Sequence, residues 1–309
     1  MYIVWRSWYR KLAFLDKLRG LLSWYNRNMQ YQAIISDFDG TLVDHTHTLS
    51  PKLKSAIQEF VSAGNIFSIC TGRAYQGVVQ KICQELGLRN LVIVRGGSEI
   101  IDPTTHLVVW AKYIEPETVS SVIDFLYSQP ELFFAAERGE FIYSRDAKPD
   151  PEFGQGADFK NVSDMPTDLV PKIVVPPLQT AELIDALLEN LQQKFSDLHL
   201  AKITSRKGFG IDINHAAAGK HMAVLEYAKL MQLDPKQLVA VGDSYNDYPM
   251  LSACGYKVAM GNAPKELLGI ADLVVGTQAE DGVLEVIGLF EPTKHLLQEA
   301  VKKHSQTKN

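Results

Sequence analysis

The chain has 309 residues, 46% of them hydrophobic and 22% charged, with a formal net charge of −5. That length allows one large domain or two ordinary ones. The acidic balance argues against broad nucleic-acid binding, which rests on a basic footprint. No uncharged apolar run approaches the roughly 18 residues needed to cross a bilayer.

Residues 1–30 form an N-terminal extension unlike the rest. It holds Trp5, Trp8 and Trp24, and six basic residues against Asp16, a net of +5 that leaves −10 for the remainder. Two readings stand. Such an aromatic, basic, amphipathic stretch can make peripheral contact with an anionic membrane through residues 1–28. Alternatively, translation starts at Met29 and the upstream residues are not part of the working protein. Arg10 and Lys11 interrupt any signal-peptide core. Cys70, Cys83 and Cys254 lack motif spacing and cannot all pair, which points to a reduced, cytoplasmic setting.

From Tyr31 strands and helices alternate. "YQAIIS" predicts a strand buried on both faces. "SPKLKSAIQEFVSAG" predicts a helix capped by Ser50, with Pro51 in its first turn and Leu53, Ile57 and Phe60 on one face. "NIFSIC", "AYQGVVQKICQELG" and "LVIV" then predict strand, helix and strand. Between Ser98 and about Asn214 the order changes to clustered strands, such as "LFFAAERG" and "EFIYSR", with segregated helices. After Gly219 alternation returns, through "KHMAVLEYAKLMQL", "LVAVG", "NDYPMLSAC", "YKVAM", "PKELLGI" and "DLVVG". The expected architecture is a doubly wound parallel-sheet α/β core, residues 31–97 and 215–291, with an inserted α+β module, 98–214. Residues 292–309 are expected to form a C-terminal helix that frays into a polar tail.

Ligands of an open parallel sheet bind beyond the carboxyl ends of its strands. Asp37 and Asp39 follow the first strand, "CTGR" (Cys70 to Arg73) the second, and "VGDSYND" (Val241 to Asp247) a later one; Lys220 opens the intervening helix. Carboxylates gathered in one crevice repel unless cations neutralise them. A hard cation with oxygen ligands does so, and Mg²⁺ is the usual choice beside a phosphate.

"DFDGTLVD", "TGR", a lone lysine and "GDSYND" stand in the order and spacing of the haloacid dehalogenase-like (HAD) hydrolase superfamily. From Gly242 onward the chain most resembles the Cof-type phosphatases, which carry a large α/β (type IIB) cap between the second and third motifs. The resemblance implies a phosphoric monoester hydrolase acting on a small phosphorylated metabolite, such as a sugar phosphate, through an aspartyl-phosphate. Asp37 would be the nucleophile. Asp39 would protonate the leaving oxygen and then deprotonate the attacking water. The two-residue spacing suits carboxyls leaving a strand on one side. Amides of Gly40 and Thr41 would approach the phosphoryl oxygens, as would the Thr71 hydroxyl, with Gly72 beside it. Lys220 would offset the charge of nucleophile and phosphate. Mg²⁺ would be held by Asp37, Asp243 and the main-chain carbonyl of Asp39. Asn246 and Asp247 would support the site, Asp247 by steadying metal waters or Lys220.

Other residues read more plainly. Asp44, His45, His47 and His215 are expected as solvated loop residues, and Arg73 as an anchor for its loop. Two stretches depart from the family pattern. "RGGSE" (Arg95 to Glu99) replaces an Asn-Gly-Ala turn, and "DINHAAAGK" implies a longer or differently turned loop before Lys220. Two alternatives remain open on the sequence: a phosphomutase using the same intermediate, and a non-catalytic membrane-tethered binding protein.

Overall fold

The computed structural model describes residues 31–129, 132–145 and 158–290. The expectations for residues 1–30 and 292–309 lie outside the described residues. Among the described residues, no helix is long and apolar enough to cross a membrane.

In chain order the first elements are β1 (Ala33–Ser36), α1 (Pro51–Ser62), β2 (Ile66–Ile69), α2 (Val78–Leu86) and β3 (Val92–Val94). Ser50 Oγ accepts the Leu53 amide at 3.0 Å, and Leu53, Ile57 and Phe60 are buried, as the helical spacing predicts. The second helix begins later than expected because Gly77, at φ 88°, breaks it. Next come β4 (Glu99–Asp102) and β5 (Leu107–Ala111), which form an antiparallel three-stranded sheet with β3. Ile100 belongs to the same buried cluster as Ile35, Ile93 and Ala240, with Trp110 against it. The strands expected to open the inserted module at residue 98 therefore pack on the core.

The module proper starts with α3 (Pro116–Tyr127) and continues through β6 (Ala135–Arg138), β7 (Phe141–Ser144), β8 (Asp158–Asn161), β9 (Lys172–Gln179), α4 (Ala181–Lys194), β10 (Leu198–Ser205) and β11 (Gly208–His215). Its six strands run in the order β10-β11-β9-β6-β7-β8. Both helices cover one face through a cluster that includes Val122, Leu126, Ile184, Leu187, Ile173 and Ile211. Strand β8 and the β10–β11 hairpin were not foreseen in the sequence. Glycine and charge interrupt "LHLAKITSRKGFGIDINH", yet Ile211 and Ile213 alternate with Asp212 and Asn214 in register with the strands beside them. "DINH" is thus strand, and only Ala216–Gly219 remains as the turn before Lys220.

The chain returns with α5 (Lys220–Met231), β12 (Leu238–Gly242), α6 (Tyr248–Ala253), β13 (Tyr256–Ala259), α7 (Lys265–Leu268), β14 (Leu273–Val274) and α8 (Val283–Gly288). The core sheet is parallel throughout, in the order β14-β13-β12-β1-β2. Strand β1 lies between β12 and β2, and all four of its residues are buried. Burying an isoleucine such as Ile34 or Ile35 contributes about 1.5–3 kcal/mol. The register that fixes β1 also fixes where Asp37 emerges.

Candidate active site

Asp37 continues β1 by one residue: its amide donates to the Val241 carbonyl at 2.8 Å, and the residue is 5% exposed. Past β12, Ser244 and Asp247 form a reciprocal cap on a short turn. Asp247 Oδ2 accepts the amides of Asp243 and Ser244, each at 3.0 Å, which holds the Asp247 carboxylate in the interior. Lys220, the first residue of α5, places Nζ 2.5 Å from both Asp37 Oδ1 and Asp247 Oδ1. It follows Gly219, whose φ of 114° and close approach to His199 leave no room for a side chain. Asp37, Asp243 and Asp247 each bring a carboxylate oxygen within 4.8 Å of the other two. Lys220, the sequence assignment most exposed to the altered turn before it, lies at the centre of the group.

Gly40 is a correction. Its amide donates to the Val43 carbonyl at 3.0 Å, so it is not presented to an anion. What the position needs is space: at φ 79°, a Cβ there would lie 2.5 Å from Asp243 Oδ2. Thr41 has a contact the sequence did not suggest, its Oγ1 donating to Asp243 Oδ1 at 2.9 Å. At the end of β2, Thr71 Oγ1 accepts the Arg73 amide at 3.1 Å, which leaves the hydroxyl proton for another acceptor. The Gly72 carbonyl accepts from Lys172 Nζ at 2.8 Å. Asn246 Oδ1 accepts from Ser244 Oγ, within its own turn.

Asp37 and Asp39 take different partners. Strand β1 ends at Ser36, and Asp39 already bridges to Val43, so the period-two rule no longer governs it. The Asp39 side chain is 44% exposed and held in a fork by Arg73, Nε at 2.6 Å and Nη2 at 2.8 Å. Arg73 Nη2 also lies 2.6 Å from His47 Nε2. His47 therefore sits at the edge of the site, whereas the Asp44 carboxylate closes its own loop by accepting the amides of Thr46 and Thr48. His215 Nδ1 accepts the Ala217 amide within the turn before Lys220.

Burial, then Asp247, push the Asp37 carboxyl well above its ordinary value despite the opposing Lys220. Burial, then Asp247, likewise push Asp243 up to about 7. Burial pulls the Lys220 ammonium down, but Asp247 and Asp37 outweigh it and hold the group well above its usual range. Three carboxylates thus face one ammonium, an imbalance that a divalent cation corrects. The donors are all carboxylate oxygens, which suits a hard cation. Asp247 accepts Lys220 and two main-chain amides, Asp243 accepts one side-chain donor at each oxygen, from Thr41 and Asn262, and Asp37 accepts Lys220 at Oδ1.

Asn262 went unnoticed in the sequence. Its Nδ2 donates to Asp243 Oδ2 at 3.1 Å from just beyond β13. The signal that could have found it is its place after a parallel strand's carboxyl end.

The family model for haloacid dehalogenase-like hydrolases matches residues 34–287. The phosphatase YwpJ of Bacillus subtilis is 26% identical over 297 residues, covering 85% of this chain and 99% of that protein. The 5-amino-6-(5-phospho-D-ribitylamino)uracil phosphatase YcsE of the same organism is 25% identical over 271 residues, covering 86% and 98%. The solved structure of a haloacid dehalogenase-like hydrolase from B. subtilis superposes with a TM-score of 0.73 at 24% identity, covering 83% of this chain and 99% of that one.

Proposed function

Because the chain belongs to the haloacid dehalogenase-like hydrolase family, we propose that it hydrolyses the phosphate monoester of a small metabolite, with Asp37 as nucleophile and Mg²⁺ as cofactor. The observation that carries this reading is the convergence of Asp37, Asp243 and Asp247 at the ends of β1 and β12, with Lys220 paired to Asp37 and Asp247. Relatives named as phosphatases, one of them for a phosphoribitylaminouracil, support the same substrate class.

Lys220 engages Asp37 through Oδ1 and so orients Oδ2 toward phosphorus. Oδ2 forms the new P–O bond as the bond to the leaving alcohol breaks, which gives an aspartyl-phosphate. Asp39 delivers the proton that the leaving oxygen takes up. To do so its carboxyl must turn from the Arg73 fork, a short rotation for a side chain that is 44% exposed. Asp39 then takes a proton from water as that water attacks phosphorus, releasing inorganic phosphate and free Asp37. Thr71 would donate its hydroxyl to a phosphoryl oxygen, and the Thr41 amide would approach the phosphoryl group as well. Asp37, Asp243 and the Asp39 carbonyl would hold Mg²⁺, with Asp247 steadying the arrangement through Lys220. The cation supplies positive charge to the acids and to the phosphoryl oxygens.

The test is hydrolysis of p-nitrophenyl phosphate with Mg²⁺ by the wild type and by Asp37→Asn. The variant should lose at least about a thousandfold in kcat, as nucleophile removal does elsewhere. Equal rates would end the proposal.

A further inference from the structure

The loop that carries Thr71 has no regular structure of its own, so its position depends on what its main chain binds. Three consecutive carbonyls are held. Thr71 O accepts the Gly96 amide at 3.0 Å, and Arg73 O accepts the Arg95 amide at 2.8 Å, both from the turn after β3. The middle one, Gly72 O, is held from the inserted module by Lys172 Nζ at 2.8 Å, across 100 residues of sequence.

Lys172 is the first residue of β9 and only 5% exposed. Its ammonium donates to Gly72 O and is charge-paired with Asp212, whose Oδ1 lies at 2.9 Å, and more distantly with Glu137, whose Oε1 lies at 3.6 Å. Asp212 also backs the loop, since its Oδ2 is 3.4 Å from where a Gly72 Cβ would be. From the core side Arg95 completes the contact, donating to Glu137 at 2.8 Å and to the Gly139 carbonyl at 2.5 Å.

We propose that Lys172 is a positioning residue for the phosphate end of the site: by holding the Gly72 carbonyl it fixes the Thr71 hydroxyl, so the inserted module sets affinity for the phosphoryl group itself. The inference rests on the phosphatase reading above. Inorganic phosphate, which has no leaving group, separates this role from recognition of the departing alcohol.

The experiment compares two charge-matched variants in the full chain, Lys172→Met/Asp212→Asn and Lys172→Gln/Asp212→Asn, with p-nitrophenyl phosphate as substrate and inorganic phosphate as competitive inhibitor. The methionine pair removes the donor. It should weaken phosphate inhibition about tenfold and lower kcat on the order of tenfold to hundredfold, the scale of a small misplacement at a reacting centre. The glutamine pair keeps a donor and should recover most of both losses. A methionine pair that melts cooperatively yet binds phosphate like the wild type overturns the proposal, even if kcat falls. If that pair does not fold, Lys172→Arg decides: its longer side chain displaces the donor, so phosphate inhibition must weaken several-fold, and no change overturns the idea. A wild type that neither hydrolyses the ester nor binds phosphate defeats the phosphatase reading instead.

Discussion

Among the described residues, charge is buried in two places, and the protein resolves them differently. At the ends of β1 and β12, Asp37, Asp243 and Asp247 cluster together, and Lys220 pairs with Asp37 and Asp247. Between core and inserted module, Arg95 and Lys172 face Glu99, Glu137 and Asp212. The first group is short of two positive charges and the second of one. In the second, both cations also reach main-chain carbonyls, Lys172 that of Gly72 and Arg95 that of Gly139. Those bonds tie one backbone to another. In the first, Lys220 binds only carboxylates, and burial drives Asp243 to about 7. An uncompensated buried acid is costly unless a cation arrives. The first group thus has the charge to hold a cation, and the second has bonds that join core to module.

The largest effect that separates them is removal of the lysine at each centre. Lys220→Met should lower kcat by about a hundredfold to a thousandfold, the scale of losing a preorganised electrostatic partner. It also strands two buried acids, which should cost about 3–5 kcal/mol in urea unfolding of the metal-free chain. Excess Mg²⁺ should restore part of that stability, because a cation can take the place of the lost charge. Cations have no such access to the Lys172 network, so the Lys172 variants should gain only what the intact acid cluster gives the wild type. Equal Mg²⁺ rescue at both positions would break the distinction.

The next effect is one of pH. Asp243 rises from an ordinary 3.8 to about 7, with burial as the main cause. Between those values the folded, metal-free chain holds a proton that the unfolded chain has released. Folding stability in the absence of metal must then increase as pH falls through about 7, and level off near the unfolded value. Thermal melts in chelator should give a higher Tm near about pH 5.5 than near about pH 7.5. Asp243→Asn should remove part of that difference, the raised Asp37 carboxyl supplying a further part with the same sign, and should raise the metal-free Tm at the higher pH. Mg²⁺ competes with the same proton, so the stabilisation it gives should grow as pH rises. A metal-free chain that is most stable at the higher pH, with Asp243→Asn no different, would contradict the assignment.

Why one cluster could be read in the sequence and the other could not follows from their geometry. Asp37, Thr71, Asp243 and Asp247 stand at strand ends, and periodicity marks strand ends directly. Their convergence follows from a parallel sheet, whatever the details of packing. Lys172, Asp212 and Glu137 sit within strands of the module, where a charged residue reads as a solvent-facing position. What buries them is the opposing surface of the core, and nothing local in "KIVVPP" or "DINH" announces it. Asp39 is a milder case, its partner Arg73 being the part the sequence did not announce. The spacing of "DFD" implies a shared side, but β1 stops at Ser36 and the chain has turned before Asp39. Gly40 was legible as a turn. That its missing side chain makes room for Asp243 depends on a contact more than 200 residues away in sequence.

The smallest expected effect tests whether the ligand-centred reading extends beyond the acids. Asn262 touches the cluster only through Asp243 Oδ2, at 3.1 Å, and its neighbourhood is exposed. Its loss should leave folding nearly unchanged. It should, however, free Asp243 to rotate, since Thr41 then holds the carboxylate at Oδ1 alone. Supporting contacts of this kind typically contribute 10- to 100-fold in metal affinity. Asn262→Ala should accordingly shift the Mg²⁺ concentration for half-maximal activity upward by about tenfold, with kcat at saturating Mg²⁺ close to wild type. The matched change at the second cluster is Gln76→Ala, which removes an equally peripheral contact, 3.4 Å from Arg95 Nη2. It should leave the Mg²⁺ dependence where it was. A shift in both titrations would mean that the two networks respond as one, and that Mg²⁺ senses the closure between core and module as well as its own ligands.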